Sequence, residues 1–280
     1  MPVHPSLRRL CVAAFVALSA LLIALPGTAS VAGAADRPSP PGRHPERTWM
    51  GSTVRIHEPG IPDPVPAPGP AAAGVEGVDV SGHQGAVEWA ALWNSGVRFA
   101  YVKATEGNYY QNPSFGQQYN GSYGIGMIRG AYHFATPNDS GGAEQARYFA
   151  DRGGGWSADG RTLPGVLDIE YNPYGDTCYG LSRSAMVSWI RDFTDTYRAR
   201  TGRDAVIYTT TDWWTQCTGN TGSFGATNPL WIARYNTTPG TLPNGWAYQT
   251  FWQYTSTGPI VGDHNRFNGT FEQLQTLANG

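Results

Sequence analysis

Gly165-Val166-Leu167-Asp168-Ile169-Glu170 is the stretch from which the fold can be read. It is an apolar run that turns acidic at its end, which predicts a strand over 165–170. The segment 183–201 follows, where Met186, Val187, Ile190, Phe193 and Tyr197 recur at three- and four-residue steps and Gly202 supplies a stop. A second apolar run, 205–210, predicts the next strand. Working outward, further strands are expected at 75–80, 99–104, 127–135, 230–235 and 248–254. Helices are expected between them at 88–94, 115–123, 143–152 and 212–215. Repeated strand–helix order implies a parallel sheet, and the length from Val75 onward suits a barrel of βα units with a strand-rich last third.

Composition narrows the function. Of 280 residues, 14% are charged and 12% aromatic, with 36 Gly and 21 Pro. The low charge excludes a coiled coil or a disordered acidic chain. The formal charge is −2, and without Arg8 and Arg9 it is 17 basic against 21 acidic residues, or −4. That balance leaves no basic footprint for nucleic acid. Residues 1–35 read as a secretory signal: Arg8-Arg9, an apolar run over 10–26, then Ala-Gly-Ala-Ala at 32–35. The run is short for a spanning helix and ends at Pro26-Gly27. The expected product is secreted, extracellular, free of the membrane after signal removal, and monomeric. Cys11 leaves with the signal, so Cys178 and Cys217 form an even pair suited to a disulfide.

Residues 36–73 hold 10 of the 21 prolines, including the alternating run from Pro62 to Pro70. They read as a linker or pro-region before a domain spanning 74–280. An apolar patch at Trp49, Met50, Val54 and Ile56 interrupts this stretch. Such a patch packs on the domain or gates it, but a loose spacer is the reading favoured by composition.

In a parallel barrel, chemistry gathers at the carboxyl ends of strands. Those ends carry Asp79, Ser81, Lys103, Thr105, Glu106, Tyr132, His133, Asp168, Glu170, Tyr208, Arg234, Tyr235, Gln253 and Tyr254. Acids with aromatic rings are the lining a sugar site requires. Strand period two aims Asp168 and Glu170 to one face. Two adjacent carboxyls cannot both ionise cheaply, so one becomes a proton donor and its neighbour stays charged, the division that glycoside cleavage uses. The histidines show no metal-ligand spacing, no nucleophile elbow or phosphate loop is present, and neither metal nor cofactor is expected.

Several motifs in order resemble one family. They are Gly-Val-Asp-Val-Ser at 77–81, Tyr-Val-Lys-Ala-Thr-Glu-Gly at 101–107, Arg-Gly-Ala-Tyr-His-Phe at 129–134 and Leu-Asp-Ile-Glu at 167–170. Ile-Tyr-Thr-Thr at 207–210, Trp-Ile-Ala-Arg-Tyr at 231–235, Trp-Gln-Tyr at 252–254 and Asp-His-Asn at 263–265 complete the set. Together they resemble glycoside hydrolase family 25, the secreted bacterial N-acetylmuramidases, over 77–280. The resemblance implies an incomplete TIM-like barrel of five βα units followed by strands. It implies Glu170 as general acid, Asp168 as partner carboxylate, and Asp79 and Asp263 as further acids, the last in a loop before the C-terminus. Lys103, Tyr132, Tyr208 and Gln253 fall at positions resembling substrate contacts. His83 stands where the family commonly has Trp.

The implied substrate is the peptidoglycan glycan strand, cut between N-acetylmuramic acid and N-acetylglucosamine. After protonation the routes open are a covalent carboxylate intermediate, inversion through a base-activated water, and attack by the substrate's own acetamido oxygen, which the placement of both acids on one side of the sugar favours. The competing readings are a non-catalytic glycan-binding barrel, a glycosidase of another N-acetylated polymer, and a metal amidase.

Overall fold

The computed structural model describes residues 1–2, 38–58, 61 and 74–280. The chain divides into Met1–Ala35 and Asp36–Gly280; the expected signal lies almost wholly outside the described residues. Within the second unit, a short helix α1 (Val54–His57) precedes the barrel. Five βα units follow: β1 (Val75–Val80) with α2 (Trp89–Asn94), and β2 (Phe99–Glu106) with a two-residue strand β3 (Tyr110–Gln111) and α3 (Phe115–Gly124). Then come β4 (Ile128–Phe134) with α4 (Gly142–Phe149), β5 (Val166–Asp168) with α5 (Arg183–Thr201), and β6 (Val206–Thr209) with α6 (Thr211–Thr218). The strands β7 (Leu230–Ala233), β8 (Phe251–Thr255) and β9 (Asp263–Phe267) have no helix between them, and α7 (Phe271–Asn279) ends the chain.

Seven strands run parallel in the order β1-β2-β4-β5-β6-β7-β8. The eighth, β9, is antiparallel to both β8 and β1 and closes the barrel. The expected architecture is present; what is incomplete is the helical layer, which stops after β6.

The parallel barrel strands are covered on both faces, which is why most of them read as largely apolar runs. Leu167, Ile169, Ile207 and Ile232 face outward onto Met186, Ile190 and Phe193 of α5. Their alternates, Val166, Val206, Tyr208 and Trp231, fill the interior with Phe99, Tyr101 and Phe251. Small residues make room for those rings: a Cβ at Gly130 would stand 2.2 Å from the Tyr101 ring. Helix α5 has a Ser182 side chain accepting from the Ala185 amide and ends at Gly202, whose φ of 76° suits a left-handed cap. Helix α7 buries Leu274 and Ala278 against the end of the interior where Val75 and Ile128 begin their strands. The disulfide Cys178–Cys217 ties the loop after β5 to α6.

Residues 40–58 are not the loose spacer favoured by their composition. Met50 and Val54 are fully buried and belong to the interior cluster of the barrel, while Trp49 is half-buried and Ile56 is exposed. Two buried apolar side chains seat the segment together with backbone and side-chain contacts to the barrel.

Candidate active site

The carboxyl ends of parallel strands open on one rim. Asp79 on β1, Lys103 and Glu106 on β2, Tyr132 on β4, Asp168 at the end of β5, Tyr208 on β6 and Gln253 on β8 meet there. Glu170 lies two residues beyond Asp168 and so on the same face. Asp263 is not in a loop: it is the first residue of β9, and because β9 is antiparallel this end reaches the same rim, in register with Asp79.

Gln253 is the knot of the network. Its Nε2 donates to Asp79 Oδ2 at 2.9 Å and to Asp263 Oδ2 at 3.4 Å. Its Oε1 accepts from the Tyr208 hydroxyl at 2.6 Å and the Tyr235 hydroxyl at 3.0 Å. Asn265 Nδ2 donates to Asp79 Oδ2 at 2.7 Å, and Trp231 Nε1 fixes Asn265 by donating to its Oδ1 at 3.1 Å. Lys103 is fully buried and pairs with Glu106 at 2.6 Å. Glu106 also accepts from the hydroxyls of Tyr109 at 3.0 Å and Tyr174 at 2.6 Å.

Four carboxyls with exposures of 0–3% share this space. Burial drives all of them upward: Asp79 and Glu170 each to about 7, and Asp168 and Asp263 well above the usual carboxylate range. After burial, the charge of Glu170 raises Asp168 further. Hydrogen bonds from the Gly51 amide and the Thr53 hydroxyl offset part of that rise at Glu170. Neither Asp168 oxygen has a hydrogen-bond partner among the described residues. The two hydrogen bonds that Glu170 accepts favour its ionised form, and Asp168 has no such donors.

The donors to Glu170 come from the segment before the barrel. Gly51 N donates to Glu170 Oε1 at 2.6 Å, and Thr53 Oγ1 to Glu170 Oε2 at 3.1 Å. Met50 N donates to the Tyr132 hydroxyl at 3.3 Å, and Met50 O accepts from Gln253 Nε2 at 3.2 Å. Lys103 Nζ donates to the Pro45 carbonyl at 3.1 Å and also to the Thr48 carbonyl. All eight residues expected at the site thus surround one rim. Four of them, Glu170, Lys103, Tyr132 and Gln253, bond directly to residues 45–53.

His133 turns outward, between Thr105 Oγ1 at 2.8 Å and Gln145 Oε1 at 2.9 Å. Burial lowers it to about 4, so it stays neutral in the core. Asn265 was given no role by its sequence. Its position two residues after Asp263 would have revealed it, had 263–267 been read as a strand. The bonds from residues 48–53 had no such signal, since most are made by backbone.

Paired buried acids ringed by tyrosines at the rim of a βα barrel form an arrangement suited to glycoside cleavage. Residues 78–263 match the Glycosyl hydrolases family 25, and the chain belongs to that family. Lysozyme M1 of Streptomyces globisporus is 48% identical over 262 residues, covering 90% of this chain and 88% of that protein. The N,O-diacetylmuramidase of Chalaropsis sp is 49% identical over 210 residues, covering 74% of this chain and 100% of that enzyme. The structure of the muramidase from Acremonium alcalophilum superposes with a TM-score of 0.73 at 59% identity, covering 74% of this chain and 99% of that one.

Proposed function

We propose that this chain is a secreted peptidoglycan hydrolase that cleaves the β-1,4 bond between N-acetylmuramic acid and N-acetylglucosamine. The observation that carries this reading is the Asp168–Glu170 pair, buried on one face at the strand ends with its protonation shifted upward. The lysozyme and muramidase names of the relatives support the substrate class.

In the proposed reaction, protonated Glu170 gives its proton to the glycosidic oxygen. The acetamido oxygen of the sugar on the other side of the bond attacks C1 as the C1–O bond breaks. Ionised Asp168 accepts the acetamido N–H and balances the positive charge of the cyclic intermediate. Water then attacks C1 as the bond between C1 and the acetamido oxygen breaks, restoring the acetamide; the water's proton passes to Glu170, and the two inversions leave the configuration retained. Asp79 and Asp263, held by Gln253 and Asn265, position Asp168. Tyr132, Tyr208 and Lys103 line the sugar site.

The test is clearance of purified peptidoglycan by the chain begun at Gly74, with released ends identified by mass spectrometry, beside its Glu170→Gln variant. New reducing muramic acid ends from the unsubstituted chain, lowered by about 10³-fold or more in the variant, are expected. Equal release by both would refute the role of Glu170, and new peptide amines in place of reducing ends would mean an amidase.

A further inference from the structure

A polymer cannot reach carboxyls that are 0–3% exposed. What covers them is the chain itself. We infer that residues 43–58 are an inhibitory segment that occupies the glycan site, so that the enzyme is made latent and is activated when this segment leaves. The inference rests on the catalytic reading of the Asp168–Glu170 rim and extends it.

The fit is specific. At its centre is Gly51, whose φ of 81° favours glycine and whose added Cβ would stand 2.2 Å from the Tyr235 hydroxyl, 2.5 Å from Gln253 Oε1 and 2.8 Å from the Tyr208 hydroxyl. No other residue type can enter so far into the rim. Gly51 O accepts from Tyr235 at 3.1 Å while Gly51 N donates to Glu170, so the peptide satisfies both sides of the site. Contacts on either flank hold the segment in place. Arg43 pairs with Asp139 at 2.6 Å and lies over the Tyr174 ring at 4.4 Å. Trp49 stacks on His83 with ring centres 4.4 Å apart, and His57 on Tyr171 at 4.2 Å.

The contacts also disable the proposed acid. A group that must donate a proton instead accepts two hydrogen bonds, which favours its ionised form. Relatives differ in how much of the chain ahead of the barrel they match. The Chalaropsis muramidase matches this chain over its whole length with 74% of the chain, which is the share that residues 74–280 make up. The match to Lysozyme M1 takes in 90% of this chain, about 252 residues, so at least 45 of them precede Gly74. Release requires only that an endopeptidase hydrolyse one peptide bond between Ile61 and Gly74, water leaving a new carboxylate and a new amine.

The experiment compares wall clearance by residues 36–280, by the same chain carrying Gly51→Val or Met50→Asp, and by residues 74–280. Each is made with and without Glu170→Gln. A segment seated about 99% of the time holds activity near 1% of the free barrel, so 74–280 is expected to be roughly 100-fold more active than 36–280. Either substitution in 36–280 should raise its activity at least about tenfold. A gain is informative because misfolding produces only losses, and the two variants act by different means, a steric clash and a buried charge. Clearance by 36–280 equal to that of 74–280, and lost in both with Glu170→Gln, overturns the inference and leaves the catalytic reading standing. Gly51→Val and Met50→Asp chains no more active than their parent also overturn it. No clearance by any form, or clearance indifferent to Glu170→Gln, overturns the catalytic reading and the inference with it.

Discussion

Glu170→Gln exchanges a buried carboxyl for a neutral amide of the same shape, and its effect on stability can be worked out from the site. Gln keeps an oxygen for the Gly51 amide, and the Thr53 hydroxyl can rotate to accept where it now donates. The packing is therefore preserved and only the charge is removed. Burial raises Glu170 from 4.5 to about 7, so the folded chain binds this proton more tightly than the unfolded chain. Below about pH 4.5 both states are protonated and the contribution to stability is fully present. It is lost as pH rises to about 7, and above that the fold carries a buried carboxylate at a cost on the order of 3 kcal/mol. Glu170→Gln removes this cost. In residues 36–280 the variant should match the parent at pH 4 and exceed it at pH 8 by on the order of 3 kcal/mol, a rise in Tm of about 6–12 °C. Differential scanning calorimetry at the two pH values measures it. A variant equal to or less stable than the parent at pH 8 would refute the argument that Glu170 is ionised at an energetic cost. The proposed chemistry and the fold then pull in opposite directions, since the substitution expected to abolish turnover is also the one expected to stabilise.

Two further outcomes test other parts of the structure. Lys103→Met leaves Glu106 fully buried without its cation and should cost about 3–5 kcal/mol, read from the urea midpoint, with most of it recovered by adding Glu106→Gln. Replacing Cys178 and Cys217 together by Ser opens a loop of 39 residues and should lower stability by about 4 kcal/mol, matched by reductant acting on the unsubstituted protein.

The sequence shows most of the fold because the parallel strands are covered on both sides and α5 carries its core at helical spacing. It hides β9. Asp263, His264, Asn265 and Arg266 are all polar, so alternation of face produces no alternation of hydropathy, and the strand is recognisable only from its pairing with β1 and β8. Helix α7 does carry a signal, a capping box between Thr270 and Gln273 ahead of Leu274. The acids were legible because carboxyls at the ends of apolar strands are costly without a use. The occupant of the site was not. Only Met50 and Val54 of residues 38–58 are apolar and fully buried, and a Pro-rich stretch with two such residues has the composition of a spacer.

The proton positions join the two proposals. In the proposed reaction the substrate offers an acceptor, the glycosidic oxygen, to Glu170 and a donor, the acetamido N–H, to Asp168. Residues 51–53 offer Glu170 two donors and offer Asp168 none. Each carboxyl then takes the form its neighbours favour: Glu170 charged and Asp168 protonated under the segment, the reverse under the sugar. The same two residues can therefore serve a latent and an active state with no change in the barrel, because adjacent buried carboxyls need only a change of partner to exchange the form each favours. On this account the segment inhibits as a complement to the ionised acid. It is not a mimic of the glycan, and it blocks turnover by position and by protonation together.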